Sequence, residues 1–359
     1  MHIAYFISPH GFGHAARAAA VMAEIHVIDP AVRFEIFTTV PHWFFRNSLT
    51  SPFSYHPLLT DIGMAQKSSL HVDFTETSKR LKEFLPFDDR RIADVAHEIG
   101  RLKCELIICD IAPMGIAVGQ KAGIPSLLIE NFTWDWIYKG CKSYDNDIGK
   151  YVDYLEAMFN SADYHIQTEP VCSRAISDLT TFPVSRKPRT PAREIRVSLG
   201  VPEEGKVVMI TMGGVEEGLG FLERLTRSKG VCFVIPGGTI SLESRDNLVL
   251  LPRNSRFFHP DLVNASDAVV GKVGYSTLAE VYHSGVPFGY ITRPNFPESG
   301  PLAAYIRRDM KGLPIEEAEF HGGTWISRLP DLLALSRIRR DAPNGAEQTA
   351  RFVCALLTR

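Results

Sequence analysis

Short apolar runs alternate along almost the whole chain with segments in which apolar residues recur every three or four positions. Runs of four to eight apolar residues are typical of strands buried in a parallel sheet, and the longer periodic segments are typical of helices. In the first half this pattern predicts strands at His2–Ser8, Arg33–Thr39, Glu105–Cys109, Pro125–Ile129 and Tyr164–Thr168. The segments between them predict helices, among them Ala15–Glu24, Asp88–Leu102 and Gly115–Lys121.

The alternation stops once and then starts again. Residues 180–192, "TTFPVSRKPRTPA", contain three prolines and three basic residues without any periodicity, which indicates a linker. Beyond it the pattern predicts strands at Lys206–Met212, Val231–Ile235, Leu248–Leu251, Asp267–Val270 and Pro287–Ile291. It predicts helices at Leu219–Ser228, Ser276–Ser284, Pro301–Lys311 and Gly345–Leu357.

Alternating strands and helices predict an α/β protein with parallel sheets, and 359 residues are enough for two domains. We therefore expect two Rossmann-like, doubly wound parallel-sheet domains that face a cleft. The expected limits are 1–180 for the first domain, 181–192 for the linker and 193–340 for the second domain. A final helix within 341–359 is expected to pack back on the first domain. In such sheets ligands bind beyond the carboxyl ends of the strands.

Composition narrows the class of protein. Hydrophobic residues make up 45% and charged residues 22% of the chain, as in soluble globular proteins, and the net charge is -2. We therefore expect no nucleic-acid partner and no transmembrane segment, since no apolar stretch approaches about 18 residues. The six cysteines form no C-x-x-C pair, which favours buried thiols in a reducing, cytoplasmic compartment. The oligomeric state is left open.

The first strand runs into a glycine pair, Gly11 and Gly13, followed by His14. With Ala16 this spacing fits the G-x-G-x-x-A fingerprint of dinucleotide-binding proteins, but threonines stand at positions 38 and 39, where that fingerprint needs an acid. A glycine turn at a helix start still suits close approach of an anionic ligand, and His14 can titrate near neutral pH. The alternative is that the glycines only make a tight turn on which His14 packs.

Two further glycine loops follow strands of the second half. Gly213 and Gly214 come directly after the first of these strands, where backbone N–H groups can cradle a phosphate. Lys272 and Gly274 lie in the loop "GKVG" that follows a buried strand later in the chain. Both loops precede predicted helices, so we expect them at the same edge of the second sheet.

The helix that follows Gly274 begins with polar residues. The hydroxyls of Ser276 and Thr277 and the free amides of a helix start suit phosphate oxygens. Glu280 lies one turn into the helix, where a carboxylate can bind two ribose hydroxyls. The alternative is that Ser276 or Thr277 caps the helix and that Glu280 completes a capping box or is solvated.

These motifs together resemble the GT-B nucleotide-sugar glycosyltransferases. That family has a glycine loop after the first strand, a phosphate loop at the start of the second domain, and a signature similar to "GKVGYSTLAE" at 271–280, with Gly285 and Pro287 after it. A narrower resemblance is to the glycosyltransferase-like amino-terminal modules of plant L-arabinokinases, at "PHGFGHAAR", "LIICDIAP", "NFTWDWIY" and "GKVGYSTLAEVYHSGVPF". The group that forms lipid II is more distantly similar.

The resemblance implies the GT-B fold, a nucleoside-diphosphate sugar as donor, with a UDP-sugar favoured, and a set of residue roles. The sequence "NFPES" replaces the D-Q pair of many relatives, which leaves the donor sugar open. By this resemblance, Gly11 and Gly13 would form the glycine turn at the ligand, and His14 and Asp110 would lie on the acceptor side of the cleft. Gly213 and Gly214 would face the donor diphosphate, and Lys272, Gly274, Ser276 and Thr277 would form the helix start under the phosphates. Phe258 would contact the nucleobase, Glu280 the ribose and Glu298 the donor sugar.

Glycosyl transfer needs a base for the acceptor hydroxyl and positive charge for the leaving diphosphate. His14 or Asp110 could be the base, and Lys272, Arg293 and helix amides could stabilise the leaving group. We therefore expect an inverting, metal-independent glycosyltransferase with an unidentified acceptor and no cofactor besides its donor substrate. The alternatives are a nucleotide-sugar 2-epimerase of the same fold and a non-catalytic nucleotide-sugar sensor.

Metal chelation tests the expected charge balance. Because helix amides and basic side chains should neutralise the leaving group, we expect EDTA to leave donor turnover largely unchanged relative to an assay with Mg²⁺. A strict requirement for Mg²⁺ or Mn²⁺ would contradict this expectation and would direct attention to Asp145 and Asp147, the one D-x-D sequence, which we interpret as solvated.

Overall fold

The computed structural model describes residues 1–141, 147–213 and 219–358. Its first half alternates strands and helices in the order that the sequence predicts. The elements are β1 (His2–Ile7), α1 (Gly13–Ile28), β2 (Arg33–Thr38), α2 (His42–Ser48), β3 (Phe53–Pro57), α3 (Phe74–Phe84), α4 (Asp89–Arg101), β4 (Cys104–Asp110), α5 (Pro113–Ala122), β5 (Ser126–Glu130), α6 (Trp134–Cys141), α7 (Val152–Asn160), β6 (Tyr164–Thr168) and β7 (Leu179–Thr181).

The second half repeats this arrangement and ends in a helix. Its elements are α8 (Ala192–Ser198), β8 (Lys206–Thr211), α9 (Leu222–Leu225), β9 (Val231–Thr239), β10 (Glu243–Arg245), β11 (Leu248–Pro252), α10 (His259–Ala265), β12 (Ala268–Lys272), α11 (Tyr275–Ser284), β13 (Phe288–Ile291), α12 (Ser299–Asp309), β14 (Gly312–Pro314), α13 (Glu317–Gly322), α14 (Leu329–Ala334) and α15 (Gly345–Leu357). Within the described ranges, none of these helices combines the length and apolar character that crossing a bilayer requires.

Two seven-stranded sheets organise the chain. The first has the order β3-β2-β1-β4-β5-β6-β7, with every neighbouring pair parallel. The second has the order β10-β11-β9-β8-β12-β13-β14 and is parallel except for the pair β10 and β11. In each sheet the strand order changes side at its first inner strand. β2 and β4 lie on opposite sides of β1, and β9 and β12 lie on opposite sides of β8. The predicted α/β class with two doubly wound parallel sheets is confirmed.

The inner strands are apolar on both faces because helices cover both faces of each sheet. In β1, Ala4 and Phe6 face one core of the first domain, while Ile3, Tyr5 and Ile7 face the other. This double burial explains why these strands form continuous apolar runs in the sequence rather than an alternating pattern. The four strands that the pattern did not predict, β3, β7, β10 and β14, are the edge strands of the two sheets.

The predicted helix Leu219–Ser228 is wrong in its length, since only Leu222–Leu225 is helical. The side-chain amide of Asn247 donates hydrogen bonds to the carbonyls of Leu225 and Ser228, at 3.1 Å each. The backbone N–H of Ser228 also donates to the carbonyl of Leu225 at 3.0 Å, three residues back rather than four, so the chain leaves the α-helical pattern after one turn and Asn247 bonds the carbonyls at its end.

Residues at the end of the chain cross back to the first domain. The last helix, α15, packs its small residues Ala346 and Ala350 into the core that also contains Ala15 of α1. The backbone N–H of Gly345 donates to the carbonyl of Pro183 at 3.1 Å. The exact domain limits stay predictions.

Gly345 makes the close approach between these two crossing segments possible. A Cβ at this position would overlap the carbonyl oxygen of Phe182, whereas a Cβ at Gly100 in α4 would meet nothing within 4 Å. We expect Gly345→Ala to lower the free energy of unfolding by about 1–3 kcal/mol, because the backbone must shift.

The matched control is Gly100→Ala. It should be neutral or stabilising by up to roughly 1 kcal/mol, because alanine loses less conformational entropy than glycine when the helix forms. Urea unfolding of both variants measures the difference. Equal stabilities for the two variants would contradict the predicted backbone contact.

Candidate active site

The candidate site lies between the two domains. It is at the carboxyl ends of the strands around β1 and β8, where the strand order of each sheet changes side. A cavity of about 450 Å³ opens there, a size that suits a small organic ligand. Its walls include the loop after β1, the ends of β8 and β12, and the beginning of α11. The points in both sheets at which the strand order changes side therefore border one shared cavity.

Two helix N-termini meet at this cavity. Gly13 is the first residue of α1, and a Cβ there would lie 3.6 Å from Oγ of Ser276 in the first turn of α11. Neither helix has a side-chain cap or an acidic residue in its first turn. The first amides of both helices therefore remain available, and their dipoles favour an anion between them.

The two glycines of the first loop have different reasons to be glycine. Gly11 has φ +71°, a left-handed conformation that other residues rarely adopt, while Gly13 has an ordinary φ and room for a side chain. The backbone conformation of the turn therefore requires glycine at position 11 but not at position 13. The capping-box alternative is wrong, because the N-cap of α11 is Gly274 and not Ser276 or Thr277.

His14 is held by a buried carboxylate. Its Nδ1 lies 2.9 Å from Oδ1 of Asp110, at the end of β4. Because a carboxylate only accepts hydrogen bonds, Nδ1 carries a hydrogen, and the neutral form of this imidazole has its lone pair on Nε2. His14 lines the cavity, whereas Asp110 lies behind it and is fully buried.

Arg17 fixes Asp110 in turn. Nε of Arg17 donates to Oδ2 of Asp110 at 2.8 Å, and Nη2 donates to Oδ1 at 2.6 Å. Burial alone would raise the pKa of Asp110, but the Arg17 guanidinium and the bond from His14 hold that pKa below its ordinary value. Asp110 therefore stays ionised and can orient His14.

Basic side chains from the second domain stand opposite His14. Gly213 has φ +71°, and a Cβ there would lie 3.1 Å from Nζ of Lys272, so the two residues are packed together at the sheet edge. Arg293 pairs with Oε2 of Glu298 at 3.0 Å. Burial lowers the pKa of Arg293 to about 10 against the pull of Glu298, so Arg293 is still a cation at neutral pH.

His10 adds a neutral hydrogen-bonding group to the wall. Burial, followed by the positive charge of Arg293, lowers the pKa of His10 well below its ordinary value. Its Nδ1 accepts from the backbone N–H of Met64 at 3.3 Å, so the hydrogen is on Nε2. The imidazole of His10 is thus a donor that carries no charge.

The linker supplies the other end of the cavity. The guanidinium carbons of Arg186 and Arg189 lie 5.0 Å and 4.2 Å from the ring centre of Phe258. Arg186 also donates to Oε1 of Glu280 at 2.8 Å and 3.1 Å, and Nδ1 of His259 lies 2.6 Å from Oε2. Glu280 is buried behind the wall, and both of its oxygens are already engaged with side chains that line the cavity.

The cavity is strongly basic although the chain as a whole is weakly acidic. Two acidic side chains, Asp261 and Glu298, line it among the described residues. The basic side chains that line it are Arg17, Arg186, Arg189, Arg253, Arg256, Lys272 and Arg293. They remain in excess when Asp110 and Glu280, behind the wall, are counted. Such a concentration of positive charge favours a ligand with several negative charges.

The structure brings most of the predicted site residues to one cavity. Those that line it are Gly11, Gly13, His14, Gly213, Phe258, Lys272, Gly274, Ser276, Thr277 and Glu298. Gly214 and Asp145 lie outside the described residues, and Asp147 forms an ion pair with Lys150. In the described part of the chain, no three His, Cys, Asp or Glu side chains are arranged to hold a metal ion.

Several residues of this site, among them Arg186, Arg189 and Asn131, have no role predicted from the sequence. Arg186 and Arg189 come from the segment predicted as a linker, where their basic character was visible but no partner was. Asn131 links Arg17 to Glu298 and follows a strand end, a position typical of ligand-binding loops.

Two facing doubly wound domains with a cleft between their strand ends define the GT-B fold of glycosyltransferases. The calicheamicin glycosyltransferase CalG4 superposes on this chain with a TM-score of 0.64 at 13% identity, covering 100% of this chain and 98% of that one. A UDP-glucosyltransferase from Polygonum tinctorium superposes with a TM-score of 0.60 at 14% identity, with the same coverage. The chain therefore has the GT-B fold.

Two relatives are also similar in sequence. The chain is 26% identical over 358 residues to L-arabinokinase of Arabidopsis thaliana, which covers 98% of this chain but 34% of the plant protein. It is 23% identical over 288 residues to an uncharacterized glycosyltransferase of Methanopyrus kandleri, covering 75% of this chain and 79% of that one. No protein-family model matches. The predicted resemblances to GT-B proteins and to the plant module are confirmed.

Removing Arg17 should expose its role in holding Asp110. We expect Arg17→Met to lower the free energy of unfolding by about 3–5 kcal/mol at pH 7, because a buried carboxylate loses its counter-ion. In the wild type the depressed pKa of Asp110 contributes stability that is present above the unfolded pKa and is lost as the pH falls through the folded pKa. In the variant, burial raises the pKa of Asp110, so at pH 4 its carboxyl is protonated and no longer a buried charge. The free energies of unfolding of the variant and the wild type should therefore differ less at pH 4 than at pH 7.

Urea unfolding at the two pH values measures both effects. Arg80→Met is the control, since Arg80 forms an exposed pair with Glu76 and should cost about 0.5 kcal/mol or less. A stability loss for Arg17→Met that does not change with pH would contradict the predicted charge effect.

Proposed function

We propose that the protein is a glycosyltransferase that moves a sugar from a nucleoside-diphosphate sugar, with a UDP-sugar favoured, to an acceptor hydroxyl. The observation that carries the proposal is His14, oriented by the buried Asp110, at the edge of a strongly basic cleft. The name of the plant relative describes a kinase, and this chain spans about a third of that protein.

In the proposed reaction His14 is the general base. Its Nε2 takes the proton of the acceptor hydroxyl while that oxygen attacks the anomeric carbon of the donor. Asp110 keeps Nδ1 protonated and stabilises the imidazolium that forms. The bond between the anomeric carbon and the diphosphate oxygen breaks in the same step, and a single displacement of this kind inverts the configuration.

The leaving diphosphate gains negative charge as this bond breaks. Lys272, Arg293 and the first amides of α1 and α11 are fixed donors on both sides of the cavity, which is the arrangement that stabilises a developing anion. We infer that these groups take the part that a divalent metal ion has in other transferases. The nucleoside is then expected toward Phe258 and the linker arginines, where Glu280 holds Arg186 from behind the cavity wall.

The geometry does not favour both predicted bases equally. Asp110 is fully buried and bonded to Arg17 and His14, so it has no open path to an acceptor. We therefore assign the base role to His14 and the positioning role to Asp110.

Substitution of His14 tests the proposal. We expect His14→Ala to lower turnover by about 10²–10⁴-fold, because the acceptor loses its base. The affinity for UDP should be unchanged within error, since the nucleotide is expected on the second domain. Turnover is measured as UDP release, after a thermal-shift screen with UDP, GDP, ADP and dTDP has identified the preferred nucleotide.

The matched control is His97→Ala, at an exposed position of α4, which should change neither property. A folded wild type whose melting temperature responds to no nucleotide would refute the proposed function. Binding of a nucleotide sugar without any turnover would instead favour the sensor alternative.

A further inference from the structure

Asn131 is a fully buried polar residue to which neither the resemblance nor the proposed reaction gives a role. It follows β5 and begins the segment "NFTWDWIY". A buried amide that is not bonded on both of its polar atoms is costly, so the partners of Asn131 are informative.

The side-chain amide of Asn131 joins one residue from each domain. Its Oδ1 accepts a hydrogen bond from Nη1 of Arg17 at 2.8 Å, and its Nδ2 donates to Oε1 of Glu298 at 3.2 Å. The chemistry of the partners fixes the orientation of the amide, because a guanidinium only donates and a carboxylate only accepts.

These bonds complete a continuous buried series across the cleft. On the first domain, Arg17 holds Asp110, which orients His14. On the second domain, Glu298 holds Arg293. The bond between Asn131 and Glu298 is the point where this series passes from one domain to the other. A second contact, Arg17 over the ring of Tyr275 at 4.8 Å, crosses the cleft beside it.

We propose that Asn131 is a positioning residue that fixes the closed arrangement of the cleft, in which the Glu298–Arg293 pair faces His14. The proposal rests on the proposed transferase function for its catalytic consequence. When Glu298 occupies Nδ2 of Asn131, the donor-side pair and the base-side residues are held at one distance. Transfer needs such alignment, whereas binding of the nucleotide to the second domain does not.

An amide suits this position because it bridges two ion pairs without adding charge. A carboxylate at position 131 could accept from Arg17 but would repel Glu298, and like charges that close inside a protein are strongly unfavourable. If Glu298 were then replaced by glutamine, its amide could donate to the new carboxylate. The bridge would return with the direction of its hydrogen bond reversed.

The experiment compares the wild type, Asn131→Asp, and Asn131→Asp combined with Glu298→Gln. We expect Asn131→Asp to enlarge the radius of gyration in small-angle X-ray scattering, because the cleft opens. Its turnover of UDP-glucose should fall by about 10²-fold through kcat, since misalignment of this size has such effects, while UDP binding by calorimetry is unchanged. The double variant should return to the wild-type radius of gyration, a readout that does not depend on the contact that Glu298 is expected to make with the donor sugar.

Asn247→Asp is the matched control for a purely structural asparagine. Asn247 donates to three backbone carbonyls inside the second domain, so its replacement should lower the melting temperature without changing the radius or kcat. An Asn131→Asp variant with the wild-type radius, or a double variant that does not return to that radius, would overturn the proposal. If the wild type turns over no nucleotide sugar, the proposed function fails, but the scattering comparison still decides whether Asn131 closes the cleft.

Discussion

The buried ion pair of Arg17 and Asp110 connects the fold of the first domain to its chemistry. Both side chains are almost inaccessible to water, and removing two such charges from water costs several kcal/mol each unless they are fully bonded. Two short hydrogen bonds between them, and bonds from Arg17 to Asn131 and Thr168, offset that cost. Because Arg17 is on α1 and Asp110 ends β4, the pair also sets the position of α1 over the sheet. His14 is one helical turn before Arg17, so its place at the cleft edge follows from the same constraint.

The positive charge of the cleft comes from basic residues that the fold brings together, and not from the overall composition of the chain. The net charge of the chain is -2, yet basic side chains converge on the cavity from the loop after β11, the ends of β12 and β13, and the segment that joins the domains. Acidic residues such as Asp110 and Glu280 lie behind the wall, where they hold basic groups in place without facing the ligand. Their positions keep the arginines ordered while the cavity itself stays positive.

The inner strands and the glycine loops could be predicted from the sequence because both depend on local pattern. Strands buried on two faces are continuous apolar runs, and the glycines follow such runs directly. The edge strands could not be predicted, since three to five residues with half-exposed faces carry little pattern. The choice between His14 and Asp110 as base, and the burial of Glu280, depend on which side of the wall a side chain lies. The partners of Arg186 and Asn131 are about 90 to 170 residues away in sequence, and no local sequence pattern predicts these contacts.

The pairing of the two segments that pass between the domains has a mechanical consequence. Asn344, just before α15, exchanges hydrogen bonds with the backbone of Ser185 at 3.2 Å and 2.9 Å, so the outgoing and returning chains run side by side. Two adjacent, mutually bonded connections leave the domains less freedom to move independently than a single flexible tether would. Arg186 is the next residue after Ser185 and also lines the cavity. A ligand that contacts Arg186 therefore also contacts one of the two paired segments that join the domains.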